Sequence, residues 1–236
     1  NHIVNKIVDL GHKPAPKPVN EEARLNDLEN LKIIEQNISK SKRFSSFPQL
    51  AATLTECDKA AINIVDETSQ HCKVNFGMDA MENMMTKEIP RELSVCAHVL
   101  NNDSGSLVIN DLTKDDRTKH VFELNNPIIN STFPRFYAGS PIITSNGYIL
   151  GSFCVFNSKP KSLDSSKVEG LRMLADQFID LYESTRGDYQ RGIEDGSHSQ
   201  EKIKGEYYSS STILFCDFVG FTKKTEKMQP GELIEV

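Results

Sequence analysis

Apolar residues recur along this chain at two spacings, every third or fourth residue in some stretches and in short β-rich or alternating runs elsewhere. Residues 1–19 carry Gly11, Pro14, Pro16 and Pro18, a spacing through which no helix runs, and read as an extended arm. Asn20 then serves as an N-cap, with Glu21 and Glu22 in the first turn, and Leu28, Leu31, Ile34 and Ile38 fall on one side of an amphipathic helix. A second helix begins near Phe44, with Leu50, Ala51 and Leu54 facing inward. Residues 60–65 form a strand, 66–70 a turn, and a second strand through Val74 and Phe76 completes a hairpin. The methionine-rich run 78–85 reads as core filling or loop cover ahead of an adaptable binding wall.

Farther on, Ser94 caps a short helix through Val95, Cys96, Val99 and Leu100, and 107–109 form a strand. A charged crossing at 110–117 and a loop at 125–134 lead to strands 136–143 and 148–156, joined through Asn146-Gly147, a strong hairpin signal. Ser162 or Asp164 caps a long helix on which Val168, Leu171, Leu174, Phe178 and Leu181 make a coiled-coil-like seam. From 187 to 211 the composition turns to Gly, Ser, Glu and Lys, with Gly187, Gly192, Gly196 and Gly205 interrupting any helix, which predicts a linker. The apolar run 212–216 then reads as a buried strand that delivers Asp217 to a turn. Gly220 lets the backbone approach a ligand there, and N–H groups ahead of a helix from about Thr222 can cradle phosphate oxygens.

The order of elements over 42–185, with Arg135-Phe136-Tyr137-Ala138-Gly139-Ser140-Pro141-Ile142 and Gly151-Ser152-Phe153-Cys154-Val155-Phe156, resembles a GAF domain. That resemblance implies an α+β fold: an antiparallel sheet between a helical layer and a face of loops that often encloses a small ligand. The expected cavity lies between the sheet and the loops around 78–85, Cys96 and 125–136, with Met81, Cys96, His98 and Phe136 as pocket candidates and a non-covalent ligand. In bilin-binding relatives the attaching Cys commonly stands directly before His, whereas Cys96-Ala97-His98 inserts Ala97, so Cys96 reads as a packed small residue.

The string Phe215-Cys216-Asp217-Phe218-Val219-Gly220-Phe221-Thr222, followed by Met228-Gln229-Pro230-Gly231-Glu232-Leu233-Ile234, resembles the opening of a class III nucleotidyl cyclase catalytic domain. The resemblance implies that Asp217, with the Phe218 carbonyl, holds Mg²⁺ or Mn²⁺, while Gly220, Phe221 and Thr222 lie along the triphosphate of ATP or GTP. The sequence ends at Val236, ahead of the second metal aspartate and the transition-state Asn and Arg of that family, so it is expected to be inactive alone. The cyclase segment adds a strand-turn-helix to the α+β fold.

Composition narrows the field. The 236 residues carry a formal net charge of -6, with no basic stripe for nucleic acid and no apolar run of spanning length. Five cysteines without a Cys-x-x-Cys pair predict reduced thiols, and His71-Cys72 and Cys96-x-His98 lack the paired spacing of zinc sites. No P-loop motif is present. The chain opens on Asn1 rather than Met and reads as a piece of a longer, cytoplasmic protein whose upstream signals are not visible. The expected organisation is an arm and helix over 1–41, a GAF sensor over 42–186, a linker over 187–209 and the start of a cyclase over 210–236. The expected function is the sensor portion of a nucleotidyl cyclase. A non-enzymatic ligand-binding or dimerisation module is the alternative. A parallel homodimer through the 168–181 seam, with the 28–38 helix contributing, is the expected assembly.

Overall fold

The computed structural model describes residues 6–7, 9–102 and 105–194, and the side chains of 127–129 and 187–194 are not among those described. The chain divides into two units, 1–194 and 195–236, and all described residues belong to the first.

The central strand, β1 (Lys59–Val65), is buried from Ala60 to its end, as a strand covered on both faces must be, and its near-continuous apolar run suits that place. β2 (Ser69–Phe76) returns beside it through a turn in which Asp66 Oδ1 accepts the N–H groups of Thr68 (2.8 Å) and Ser69 (2.6 Å). Two short edge strands, β3 (Glu88–Pro90) and β4 (Leu107–Ile109), and the hairpin β5 (Phe136–Ile143) with β6 (Ile149–Asn157) complete a sheet of order β3-β2-β1-β6-β5-β4. Every pairing is antiparallel. The Asn146-Gly147 turn behaves as its sequence demands, with Gly147 at φ 83°, a region open to glycine.

One face of the sheet is covered by α1 (Glu21–Leu31), α2 (Lys42–Thr55) and, last in the chain, α6 (Ser165–Glu194). The other carries α3 (Ala80–Thr86), the 3₁₀ helix Cys96–Asn101, α4 (Lys119–Glu123), α5 (Pro127–Thr132) and the loops between them. Strand alternation divides the core accordingly: Ala60, Ile62, Ile64, Phe136 and Ala138 pack toward the long helices, whereas Ala61, Val65, Tyr137 and Cys154 pack toward the loops.

Several expectations are corrected. α1 stops at Leu31 because Lys32 turns left-handed (φ 52°) and its N–H bonds back to Leu28 and Glu29, so Ile34 and Ile38 lie beyond the helix. On α2 the inward side is Phe44, Pro48, Ala51, Ala52 and Thr55, while Leu50 and Leu54 are exposed. Residues 127–132, expected as loop, form α5 with Pro127 at its first position, where a missing N–H costs nothing.

The 168–181 seam is largely consumed within the chain. Leu171, Ala175, Phe178, Ile179 and Tyr182 are buried, Phe178 meets Phe44 and Phe47 edge-on at 5.8 and 5.9 Å, and Tyr182 Oη donates to Leu31 O at 2.9 Å. Asp164 Oδ1 caps this helix by accepting Lys167 N–H at 2.9 Å. α6 continues through Gly187 and Gly192 to Glu194, across the start of the expected linker. Each glycine costs a helix about 1 kcal/mol, which a long helix already nucleated absorbs.

Candidate ligand cavity

Between the loop-bearing face of the sheet and its cover lies a cavity of about 290 Å³. Its floor is built by alternate residues of the central strands, Asn63 from β1, Tyr137 from β5 and Phe156 from β6. Met78, Met85, Leu93, Val95 and Phe133 contribute apolar wall. The N-terminal arm closes part of it: Ile7 is buried against the cavity, and farther along His12 Nε2 makes a 2.7 Å hydrogen bond with the Glu92 carbonyl. The arm is thus part of the domain.

On one side, α3 is fixed by a reciprocal cap, Asp79 Oδ1 accepting Glu82 N–H (2.8 Å) and Glu82 Oε2 accepting Asp79 N–H (3.0 Å). The other oxygen of the mostly buried Glu82 carboxylate is paired with Lys59 Nζ, which ties α3 to the first residue of β1 at the cavity wall. Opposite stands Arg135, its guanidinium carbon 4.4 Å from the centroid of Phe122 and its Nη2 donating to Asn130 O at 2.9 Å. Ser94 Oγ accepts Ala97 N–H (3.0 Å) and donates to Gln70 Oε1 (2.6 Å), so the expected cap also orders two polar residues of the wall.

Three polar atoms of cavity residues, Asn63 Oδ1, Asn130 Oδ1 and Arg135 Nη1, are buried with no hydrogen-bond partner among the described residues. Asn63 Nδ2 is occupied, donating to Cys96 Sγ (3.4 Å) and Cys154 Sγ (3.2 Å). Burial opposes ionisation of Cys96, but hydrogen bonds from Cys154, Tyr137, Asn63 and Ser152 hold its thiol below the usual value. Burial pushes the Cys154 thiol and the Tyr137 phenol well up, and Cys72 to about 11.

Of the four residues expected to line a pocket, the structure brings Cys96 to the cavity wall. Phe136 lies on the opposite face of the sheet in the helical core, because adjacent strand residues point to opposite faces, and Tyr137 takes the cavity side. Met81 is 44% exposed, while Met78 and Met85 line the cavity. His98 does not line it, and burial, then Arg117 and His12, lower its pKa to about 4, so it is neutral at pH 7. Lys59, Asn63, Glu82, Asn130 and Arg135 were not singled out from sequence. A polar residue inside the run Ala60–Val65 was the one available signal, and it points to Asn63. Asp217, Phe218, Gly220, Phe221 and Thr222 lie outside the described residues. Among the described residues no cluster of three His, Cys, Asp or Glu side chains can hold a metal ion, and no helix is long and apolar enough to cross a membrane.

Residues 42–179, more than half of the chain, match the GAF domain family. The chain belongs to that family. Over 148 residues, 62% of this chain, it is 28% identical to a cyclic di-GMP phosphodiesterase of Pseudomonas aeruginosa, of which it spans about a quarter of the length (23%). Among solved structures, the blue-light absorbing form of the Thermosynechococcus elongatus PixJ GAF domain is 14% identical, with a TM-score of 0.50 over 78% of this chain and 100% of that one. The GAF domain of an Acinetobacter phosphoenolpyruvate-protein phosphotransferase is 14% identical, with a TM-score of 0.49 over 71% and 98%. At such identity the PixJ likeness shows the fold, an α+β GAF sheet with flanking helices.

Proposed function

We propose that this GAF domain is the small-molecule sensor of a nucleotidyl cyclase. The observation that carries the sensor reading is that three unpaired buried polar atoms belong to residues lining one largely apolar cavity. Each such atom costs about 1–3 kcal/mol while unpaired, and a ligand that pairs them recovers that cost on binding. The chemistry calls for a compact, largely apolar molecule with an acceptor, a carboxylate or carbonyl, for Arg135 Nη1. It must also offer N–H or O–H donors to the amide oxygens of Asn63 and Asn130. Fragment screening of the purified chain by NMR tests this. Bound fragments should shift amides around 63, 82 and 130–137, and Arg135→Met should weaken acidic fragments selectively. A library that moves none of these resonances defeats the sensor reading.

The cyclase reading is supported by the string from Phe215 to Thr222, in which Asp217 and the Phe218 carbonyl would hold Mg²⁺ or Mn²⁺ and Gly220, Phe221 and Thr222 would face the triphosphate. The relative named for cyclic di-GMP breakdown supports a role beside a cyclic-nucleotide enzyme. In a protein that carries this chain with a complete catalytic domain, Asp217→Asn should remove most cyclic AMP or cyclic GMP formation while leaving the fold intact. Near-normal turnover in that variant would sink the metal assignment of Asp217, whereas no cyclic nucleotide formation by the unsubstituted protein would leave a ligand-binding module without its own enzyme. The reading includes a homodimer. With Leu171 and Phe178 used inside the chain, its interface draws on exposed residues of the helical layer such as Leu50 and Met173.

A further inference from the structure

Two thiols stand together where the cavity meets the sheet. Cys96 Sγ and Cys154 Sγ are 3.9 Å apart, both residues are almost wholly buried, and Cys96 lines the cavity while Cys154 sits in β6. The surroundings treat them differently. Cys96 Sγ accepts from Tyr137 Oη at 3.4 Å, a donor that favours a thiolate, and Asn63 Nδ2 reaches both sulfurs, whereas the one Cys154 thiol proton has two acceptors in reach, Cys96 Sγ at 3.9 Å and the Ala61 carbonyl at 3.4 Å, and stays on its sulfur. Cys57 and Cys72 are free as well, and neither lines the cavity.

We propose that Cys96 and Cys154 are a peroxide-reactive pair, a site of reversible oxidation in the cavity wall that is independent of the cavity's ligand. The Cys96 thiolate attacks one oxygen of hydrogen peroxide; the O–O bond breaks, the sulfur becomes a sulfenic acid, and the departing hydroxide takes a proton to leave as water. Cys154 then attacks that sulfur, and its own proton leaves with the displaced hydroxide as a second water. Two thiols lose two electrons, one peroxide becomes two waters, and an S–S bond forms. A disulfide needs about 2.0 Å between sulfurs, so the pair closes by roughly 1.9 Å. β6 is held on both sides by β1 and β5, which leaves the 3₁₀ helix Cys96–Asn101 as the element that moves. Oxidation thereby shifts the cavity wall and releases Asn63 Nδ2 and Tyr137 Oη from a thiolate acceptor.

The test uses the whole 236-residue chain in a Cys216→Ser background, reduced, exposed to graded hydrogen peroxide, alkylated and mapped by peptide mass spectrometry. Expected are loss of alkylation at Cys96 and Cys154 together, before Cys57 or Cys72 changes, a linked Cys96–Cys154 peptide, and full recovery with dithiothreitol. Cys154→Ser should instead accumulate a dimedone-trapped sulfenic acid at Cys96. Cys96→Ser should leave Cys154 reduced, and Tyr137→Phe should slow Cys96 oxidation severalfold. Urea-unfolded chain should lose the selectivity. Persistence of both alkylated thiols at a peroxide dose that oxidises Cys72, or a Cys96–Cys72 link in their place, overturns the proposal. Should a variant fail to fold by circular dichroism, the wild-type peptide map decides alone.

Discussion

Phe178→Ala distinguishes a helix that packs inside its own chain from one that waits for a partner. Phe178 is fully buried, edge-on to Phe44 (5.8 Å) and Phe47 (5.9 Å) and stacked on Tyr182 (6.4 Å). Truncating a buried phenylalanine costs about 3–5 kcal/mol, and losing three ring contacts puts this site toward the middle or top of that range, near 4. Against a total stability of about 5–15 kcal/mol the variant keeps its fold only narrowly. With a urea m-value of about 2 kcal/mol/M, the midpoint should fall by about 2 M. The assay is urea unfolding followed by circular dichroism at several protein concentrations. Because the contacts are intrachain, the shift should not depend on concentration. Gln177→Ala, at an exposed site on the same helix, should stay within about 0.5 kcal/mol of the parent. An unchanged midpoint, or a deficit that grows on dilution, would place Phe178 in an interface between chains and refute the packing argument.

Gly151→Ala should severely destabilise the chain, since a Cβ there would lie 2.0 Å from the Asn63 carbonyl oxygen on the neighbouring strand; recovery of soluble, cooperatively melting protein would count against the tight β1–β6 approach. Glu21 gives a pH dependence: burial opposes its ionisation, but hydrogen bonds from Arg24 and Arg91 lower its pKa from 4.5 to about 2. A carboxyl lowered by folding stabilises fully above its unfolded pKa and loses that contribution as pH falls from about 4.5 toward 2, so Glu21→Gln should flatten the decline measured by urea unfolding across that window. An unaltered slope would remove Glu21 from the cause. Sedimentation velocity of Met173→Glu tests the proposed dimer: association should weaken while the melting midpoint holds, and unaltered association would exclude that part of α6 from the interface.

Signals confined to neighbouring residues were legible in the sequence. Asn146-Gly147 closes the β5–β6 hairpin, Ser94 caps the 3₁₀ helix, Asp164 caps α6, and the apolar run after Lys59 is the central strand, because a turn, a cap or a strand is decided within a few residues. These were enough for the GAF architecture and for the general position of the cavity between the sheet and the 78–85, 96 and 125–136 segments. The sequence did not determine which face of a strand meets the cavity. Period-two alternation separates Phe136 from Tyr137 but is symmetric between the faces until helices cover one of them. Nor did it tell an inward helical stripe from a dimer seam, since both repeat every three to four residues and only the presence of Phe44 and Phe47 opposite Phe178 decides. The polar cavity groups depended most on tertiary structure. Lys59 finds Glu82 across an intervening hairpin, and Arg135 is left with an unpaired Nη1 by the particular placement of Phe122 and Asn130. Such pairings join residues whose proximity is created by folding and has no local signature in the chain.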